Sequence, residues 1–315
     1  MGALSRAPRD LRLLAGAVFL SATGDFVALI TLALTVHELT GSGLAVSALF
    51  ATTLVPVLAL AGVAGTVVDR FESVRVLAVA SLAQAVVAAG LVFASADLAP
   101  LLGLAALLAA GAAVSNPAEF ALVPVVAARE RLTEANGLVE AARYAGFTVG
   151  PLLAGAFAAL GGPRVALLAN AVSFLAIAGA AALMRSRRPP RASGALRGDG
   201  RGAGFANLYR DPVLRVVVLT ATGALAFISA TMTAELFYIL DVLEAGPSGY
   251  AVLTAVWMVG MVAGATGLAA KVPPRALAAG ALAALALQGA GVAVQTAWAV
   301  VPLAGMGYLI GGLGH

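Results

Sequence analysis

Apolar runs of about 20 residues, each long enough to cross a bilayer as a helix, recur along the whole chain between short polar breaks. The first runs from Leu11 to Val36. The pattern then predicts helices near 44–68, 74–95, 99–127, 135–160 and 164–184. From Arg185 to Asp211 there are seven arginines among glycines and prolines and no apolar run, the signature of a solvated linker. Four more helices are expected near 212–240, 248–269, 275–296 and 298–314. The fold class is therefore an all-α polytopic membrane protein. Its expected units are a six-helix N-terminal bundle over 1–184, a basic linker over 185–211 and a C-terminal bundle over 212–315.

Charge fixes how such a chain would sit. Of its 315 residues 61% are hydrophobic and only 11% charged, far from the soluble average. With ten alternating helices, Arg6, Arg9, Arg12, Arg70, Arg75, Arg129, Arg131, the linker arginines, Arg215, Lys271 and Arg275 all fall on one side. The opposite loops hold Arg164 as their only basic residue, with Glu38, Asp97, Asp241 and Glu244. The positive-inside rule then places both termini and the linker in the cytoplasm of a cell membrane. Because topology accounts for the net charge of +4, no nucleic-acid partner is expected. Eighteen arginines against one lysine hint at a GC-rich bacterial genome.

Several chemistries are unsupported. No cysteine is present, which excludes disulfides and thiolate metal sites. His37 and His315 belong to no metal-binding or hydrolytic pattern, and no phosphate-cradling glycine-lysine loop occurs. No enzyme activity, cofactor or metal is expected. The partners are the lipid bilayer and whatever crosses it.

Asn136 to Gly155, NGLVEAARYAGFTVGPLLAG, is the most informative stretch. At about 100° per residue, Glu140, Arg143, Gly146, Gly150 and Ala154 share one side of the helix, opposite Ala145, Val149, Leu152 and Leu153. Gly146, Gly150 and Ala154 recur every four residues, the spacing that lets helix backbones approach closely in a membrane. Pro151 removes a backbone donor and is expected to bend the helix.

The register Gly137, Gly146, Gly150-Pro151, Gly155 resembles the fifth-helix antiporter motif of major facilitator superfamily exporters, with Ala154 replacing a usual glycine. Gly65, Asp69, Arg70 and Arg75 in GTVVDRFESVR resemble the family's first cytoplasmic loop motif, with Glu72 in place of a second glycine. In the family this loop latches the halves together. Asn-Pro-Ala before Glu119 and Ala-Asn-Gly-Leu at 135–138 are similar to the drug, macrolide and siderophore exporters of the superfamily. The resemblance implies a major facilitator fold whose two halves enclose a central site. It covers essentially the whole chain, but with about four helices in the C-terminal half where the family has six. On that comparison the last two helices are lacking.

Four charged residues inside predicted spans are the candidates for proton coupling or substrate binding, since such groups are costly in a bilayer and usually functional. Asp25 lies near the middle of helix one with Ser21 one turn earlier. Glu119 on helix four and Glu140 and Arg143 on helix five are expected at similar depth, with Arg143 between two carboxylates. A structural hydrogen bond or ion pair is the alternative role for each. Glu235 either reaches the headgroups or faces the cavity, and Gln84 and Gln288 are expected to join helices.

The resemblance thus implies proton-coupled efflux of a lipophilic small molecule by alternating access. An importer or facilitator of the same fold, or a truncated non-transporting membrane protein, are the alternatives.

Overall fold

The computed structural model describes residues 8–94, 96–127, 129–187, 231–268, 272–273, 276–297 and 299–314, with isolated positions between 210 and 223. Most of the linker, much of helix seven, Lys271, Arg275, Trp298 and His315 lie outside the described residues. All regular structure among those described is helical.

The N-terminal half holds α1 (Arg9–Thr40), α2 (Gly43–Arg70), α3 (Ser73–Ala94) and α4 (Leu98–Val126). A helical run from Leu132 to Leu183 follows, with a non-helical break at Gly162, and its two arms are α5 and α6. Gly162 has φ 69° and ψ −163°, a region open in practice only to glycine, and Pro163 restarts the helix where its missing N–H has no partner to lose. Pro151 stays within helical geometry, so the chain reverses at Gly162. α1 ends similarly, at Gly41 with φ 57°, whose N–H caps the His37 carbonyl at 2.8 Å. In the C-terminal half, residues 231–237 form the continuous described stretch of α7 and run into the wider turn Tyr238–Val242. α8 (Gly246–Ala263), α9 (Leu277–Ala297) and α10 (Val301–Leu313) complete it.

Six described helical runs are long and apolar enough to cross a membrane, α5 and α6 counting as one. Large side chains such as Leu44, Val86 and Phe93 are more than two-thirds exposed on their flanks, as lipid-facing residues would be.

α1 is the spine of the N-terminal half, packed against α5 and α6 along its length. Small residues make this possible. A Cβ on Gly146 would lie 2.7 Å from the Phe19 carbonyl oxygen, and one on Gly150 2.9 Å from that of Thr23. On its other flank, a Cβ on Gly24 would collide with Ser173 and Asn170 of α6. In the C-terminal half Gly260, Gly291, Gly307 and Gly312 play the same role between α8, α9 and α10.

Two hydrophobic clusters result. One gathers Leu14, Val18, Leu77, Leu122, Phe174 and Ile177 at the arginine-rich end and lies wholly within the N-terminal half. The other, at the far end, spans both halves, bringing Leu32, Val46 and Leu101 against Leu236, Ile239 and Tyr308. Further contacts between the halves lie at that end as well. Ser47 and Thr233 hydroxyls meet at 3.2 Å, and a Cβ on Gly155 would be 2.8 Å from that of Ala251 on α8. Gln84 and Gln288 each donate to a backbone carbonyl of the next helix, at Leu108 and Gly314, as helix-joining residues should.

Candidate functional site

The site is built beside a close helix seam in the N-terminal half. Because Gly146 and Gly150 let α5 lie directly on α1, residues one turn along each helix meet beside that seam. Arg143 is one of them. Its Nη2 lies 3.5 Å from Oε2 of Glu119 on α4, and its Nε lies 3.5 Å from Oε1 of Glu140, three residues earlier on α5. Its guanidinium also sits over the Phe120 ring, 4.9 Å from the centroid, within cation–π range. Asp25 on α1 is within electrostatic reach of Arg143, and the Ser21 hydroxyl stands beside its carboxylate. The three carboxylate candidates thus converge on the guanidinium of the fourth, Arg143.

Their environments differ. Glu119 is 1% exposed and Arg143 15%, whereas Glu140 is 40% exposed and Asp25 is half-buried. A wholly buried carboxylate without a counter-charge would carry a large desolvation penalty, and Arg143 offsets it. The offset is incomplete in hydrogen-bond terms. Both Glu119 carboxylate oxygens and the Arg143 Nε and Nη2 lack a hydrogen bond of normal geometry. Three carboxyl groups compete for one cation, and that cation is fully hydrogen-bonded to neither of the two it touches.

Aromatic rings close one side. Phe26, next to Asp25, packs on Phe147 with centroids 4.8 Å apart, and Phe147 meets Tyr144 edge-on at 6.1 Å. Sequence reasoning missed this wall, as it missed Asn170. That residue is fully buried against Gly24, one position from Asp25, and its side-chain nitrogen has no partner. A buried polar residue at a glycine-facing position of helix six was the available signal.

The loop motif behaves differently from expectation at one residue. Gly65 and Arg70 are exposed, Asp69 is half-buried, and Gly65 faces open space. Arg75 pairs with Glu72 at 3.0 Å, and Glu72 also pairs with Arg187 at 3.2 Å. Glu72, which stands where the family has a second glycine, therefore ties the loop to the end of α6. Asp10 secures the same point by accepting from the backbone N–H groups of Arg185 (3.0 Å) and Ser186 (2.6 Å).

The helix-five motif divides similarly. Gly146 and Gly150 contact α1, Gly155 contacts α8, and Pro151 is buried in the helix. Gly137 is exposed, and a Cβ there would meet nothing within 4 Å. Glu235 faces the C-terminal half, within electrostatic reach of Tyr250 and Tyr308, so it does not join the Arg143 group. No cluster of three or more metal-ligating side chains occurs among the described residues.

Solved structures of like fold carry this arrangement of helices. A bacterial homologue of the human lysosomal transporter Spinster, inward-facing and unoccupied, superposes with a TM-score of 0.65 at 18% identity, over 96% of this chain and 72% of that one. A bacterial homologue of the iron transporter ferroportin, in an inward-facing state, gives 0.67 at 17% identity over 97% and 81%. A D-xylose–proton symporter gives 0.64 at 12% identity over 96% and 79%. Among curated proteins none matches by sequence at a significant level. The sequence profile of the Major Facilitator Superfamily matches residues 14–315. With that match over nearly its whole length, and with this fold, the chain belongs to the major facilitator superfamily.

Proposed function

We propose that this protein is a proton-coupled secondary transporter that exports a lipophilic small molecule across a bacterial cell membrane. One observation carries the coupling: Arg143 is the shared counter-charge of Glu119 and Glu140, with Asp25 in reach. In such a group, protonating one carboxyl frees the guanidinium for another. Loss of the proton from Asp25 would draw Arg143 toward α1 and loosen it from α4. The helices that share this cation would then shift together, biasing the alternating-access equilibrium.

The lipophilic class is supported by the Phe26–Phe147–Tyr144 wall beside Asp25. Efflux rather than uptake is supported by the helix-five motif, in which Gly146, Gly150 and Gly155 each make a close helix contact. On this reading the arginine-rich end is cytoplasmic and carries both termini and the linker.

The test is transport in proteoliposomes loaded with a lipophilic fluorescent substrate and given a pH gradient. The wild-type chain should move the substrate against protons. Asp25→Asn should remain folded and lose gradient-driven movement while keeping exchange down the substrate gradient. Normal gradient-driven transport by Asp25→Asn would remove Asp25 from the coupling mechanism.

A further inference from the structure

At the far end of the fold, α1 and α7 meet through a contact that the coupling group does not use. His37, in the last turn of α1, places Nε2 3.4 Å from Oδ1 of Asp241. Asp241 lies in the widened turn Tyr238–Val242 that ends α7. The His37 ring also meets Phe237 edge-on, with centroids 4.8 Å apart, and Phe237 lies beside Gly43 at the start of α2. One turn further in, Ser47 and Thr233 make the hydroxyl contact already noted between α2 and α7. His37, Phe237, Asp241, Ser47 and Thr233 thus form one patch bridging the two halves.

We infer that His37 and Asp241 form a proton-dependent latch that holds the far end of the transporter closed. Imidazole is the side chain whose charge changes between about pH 5 and 8 in the ordinary case. When protonated, His37 makes a charge-assisted contact with the Asp241 carboxylate. When neutral, it keeps at most a single hydrogen bond to the carboxylate and loses the ion pair. Acid on that side therefore favours the closed far end. The latch is reachable from water, since the side chains are 18% and 52% exposed.

The other charges at this rim are Glu38 beside His37, Asp97 at the head of α4, Arg164 at the start of α6 and Glu244 after α7. The first turns of α2 and α8 carry no acidic residue. Glu38 and Glu244 carry the same sign as Asp241, so the rim selects a cationic partner, which protonated His37 supplies.

The inference rests on the alternating-access reading with the far end outside, and it is tested by distance rather than by transport. The chain contains no cysteine. Leu44→Cys and Val242→Cys, both at exposed positions flanking the latch, would carry the only two spin labels. In the full chain in nanodiscs, the short-distance population should grow about two- to fivefold as pH falls from about 8 to 5. Because protonation at Asp25 also biases this equilibrium, the latch variants are compared in the Asp25→Asn background, where a pH response should remain and His37→Gln and Asp241→Asn should each abolish it. A response that survives in both latch variants, or a wild-type distance that ignores pH, overturns the latch. A response kept in protein that transports nothing supports the latch and counts against the transport reading alone.

Discussion

Nη2 of Arg143 lies 3.5 Å from Oε2 of Glu119, close enough for an ion pair and too far for the charge-assisted hydrogen bond of about 2.7–2.9 Å that such groups prefer. Glu119 is almost wholly buried, so this long pair is what makes its charge tolerable. Replacing Arg143 with alanine should destabilise the protein by about 3–5 kcal/mol, because a buried carboxylate loses its cation. The double variant Arg143→Ala, Glu119→Gln should recover most of that loss. Thermal unfolding in detergent compares the two, and equal destabilisation would mean that Glu119 is not held by Arg143.

The glycines of helix five make a sharper case, because they differ within one motif. Gly146→Ala forces a methyl to within 2.7 Å of the Phe19 carbonyl and should cost about 1–3 kcal/mol. Gly137→Ala meets open space and should be neutral or stabilising by a few tenths of a kcal/mol, since alanine is the better helix former. Equal melting temperatures for these two variants would contradict the close α1–α5 seam.

Gly155 belongs to a different interface. Its neighbour across the gap is Ala251 of α8, in the other half of the molecule. Gly155→Val should therefore disturb how the halves meet more than how the N-terminal bundle packs. The expected result is a large fall in transport rate with less loss of melting temperature than Gly146→Val shows. A variant that melts as early as Gly146→Val would place the glycine's effect within the bundle.

Glu72→Gln breaks contacts to Arg75 and Arg187 whose arginine side chains are 82% and 49% exposed, so the stability change should stay below about 1 kcal/mol. Its consequence is local. The chain leaving α6 should become easier to cleave near Arg187, and Asp10→Asn should add to this by weakening its acceptance from the N–H groups of Arg185 and Ser186. Limited trypsin digestion in inside-out vesicles measures it. An unchanged cleavage rate in the double variant would show that these carboxylates do not tether the linker.

Orientation is open to direct labelling. Single cysteines at Arg131 and at Asp97, which head α5 and α4, stand at opposite ends of α4. A membrane-impermeant maleimide should modify Asp97→Cys in intact cells and Arg131→Cys only after lysis. The reverse pattern would invert the proposed topology and with it the sense of the latch.

Much of this protein was determined by sequence alone. Apolar run length fixes the helices, because a bilayer admits little else, and the described bounds of α1 to α6 fall within a few residues of the expected ones except where α1 extends to Thr40. The positions of Glu119, Glu140 and Arg143 along their helices already implied one charged group, since depth in a membrane follows residue count. Other features needed the tertiary structure. Periodicity shows which face of a helix is small, but not that Gly146 and Gly150 face α1 while Gly155 faces α8. Nor does it show that Glu72, a departure from the family motif, holds Arg187. The His37–Asp241 contact joins residues far apart along the chain, and nothing local in either segment encodes it. Insertion into the bilayer is a property of each segment, legible in its own residues. Contact between segments depends on how all the helices pack together, and only the folded chain decides it.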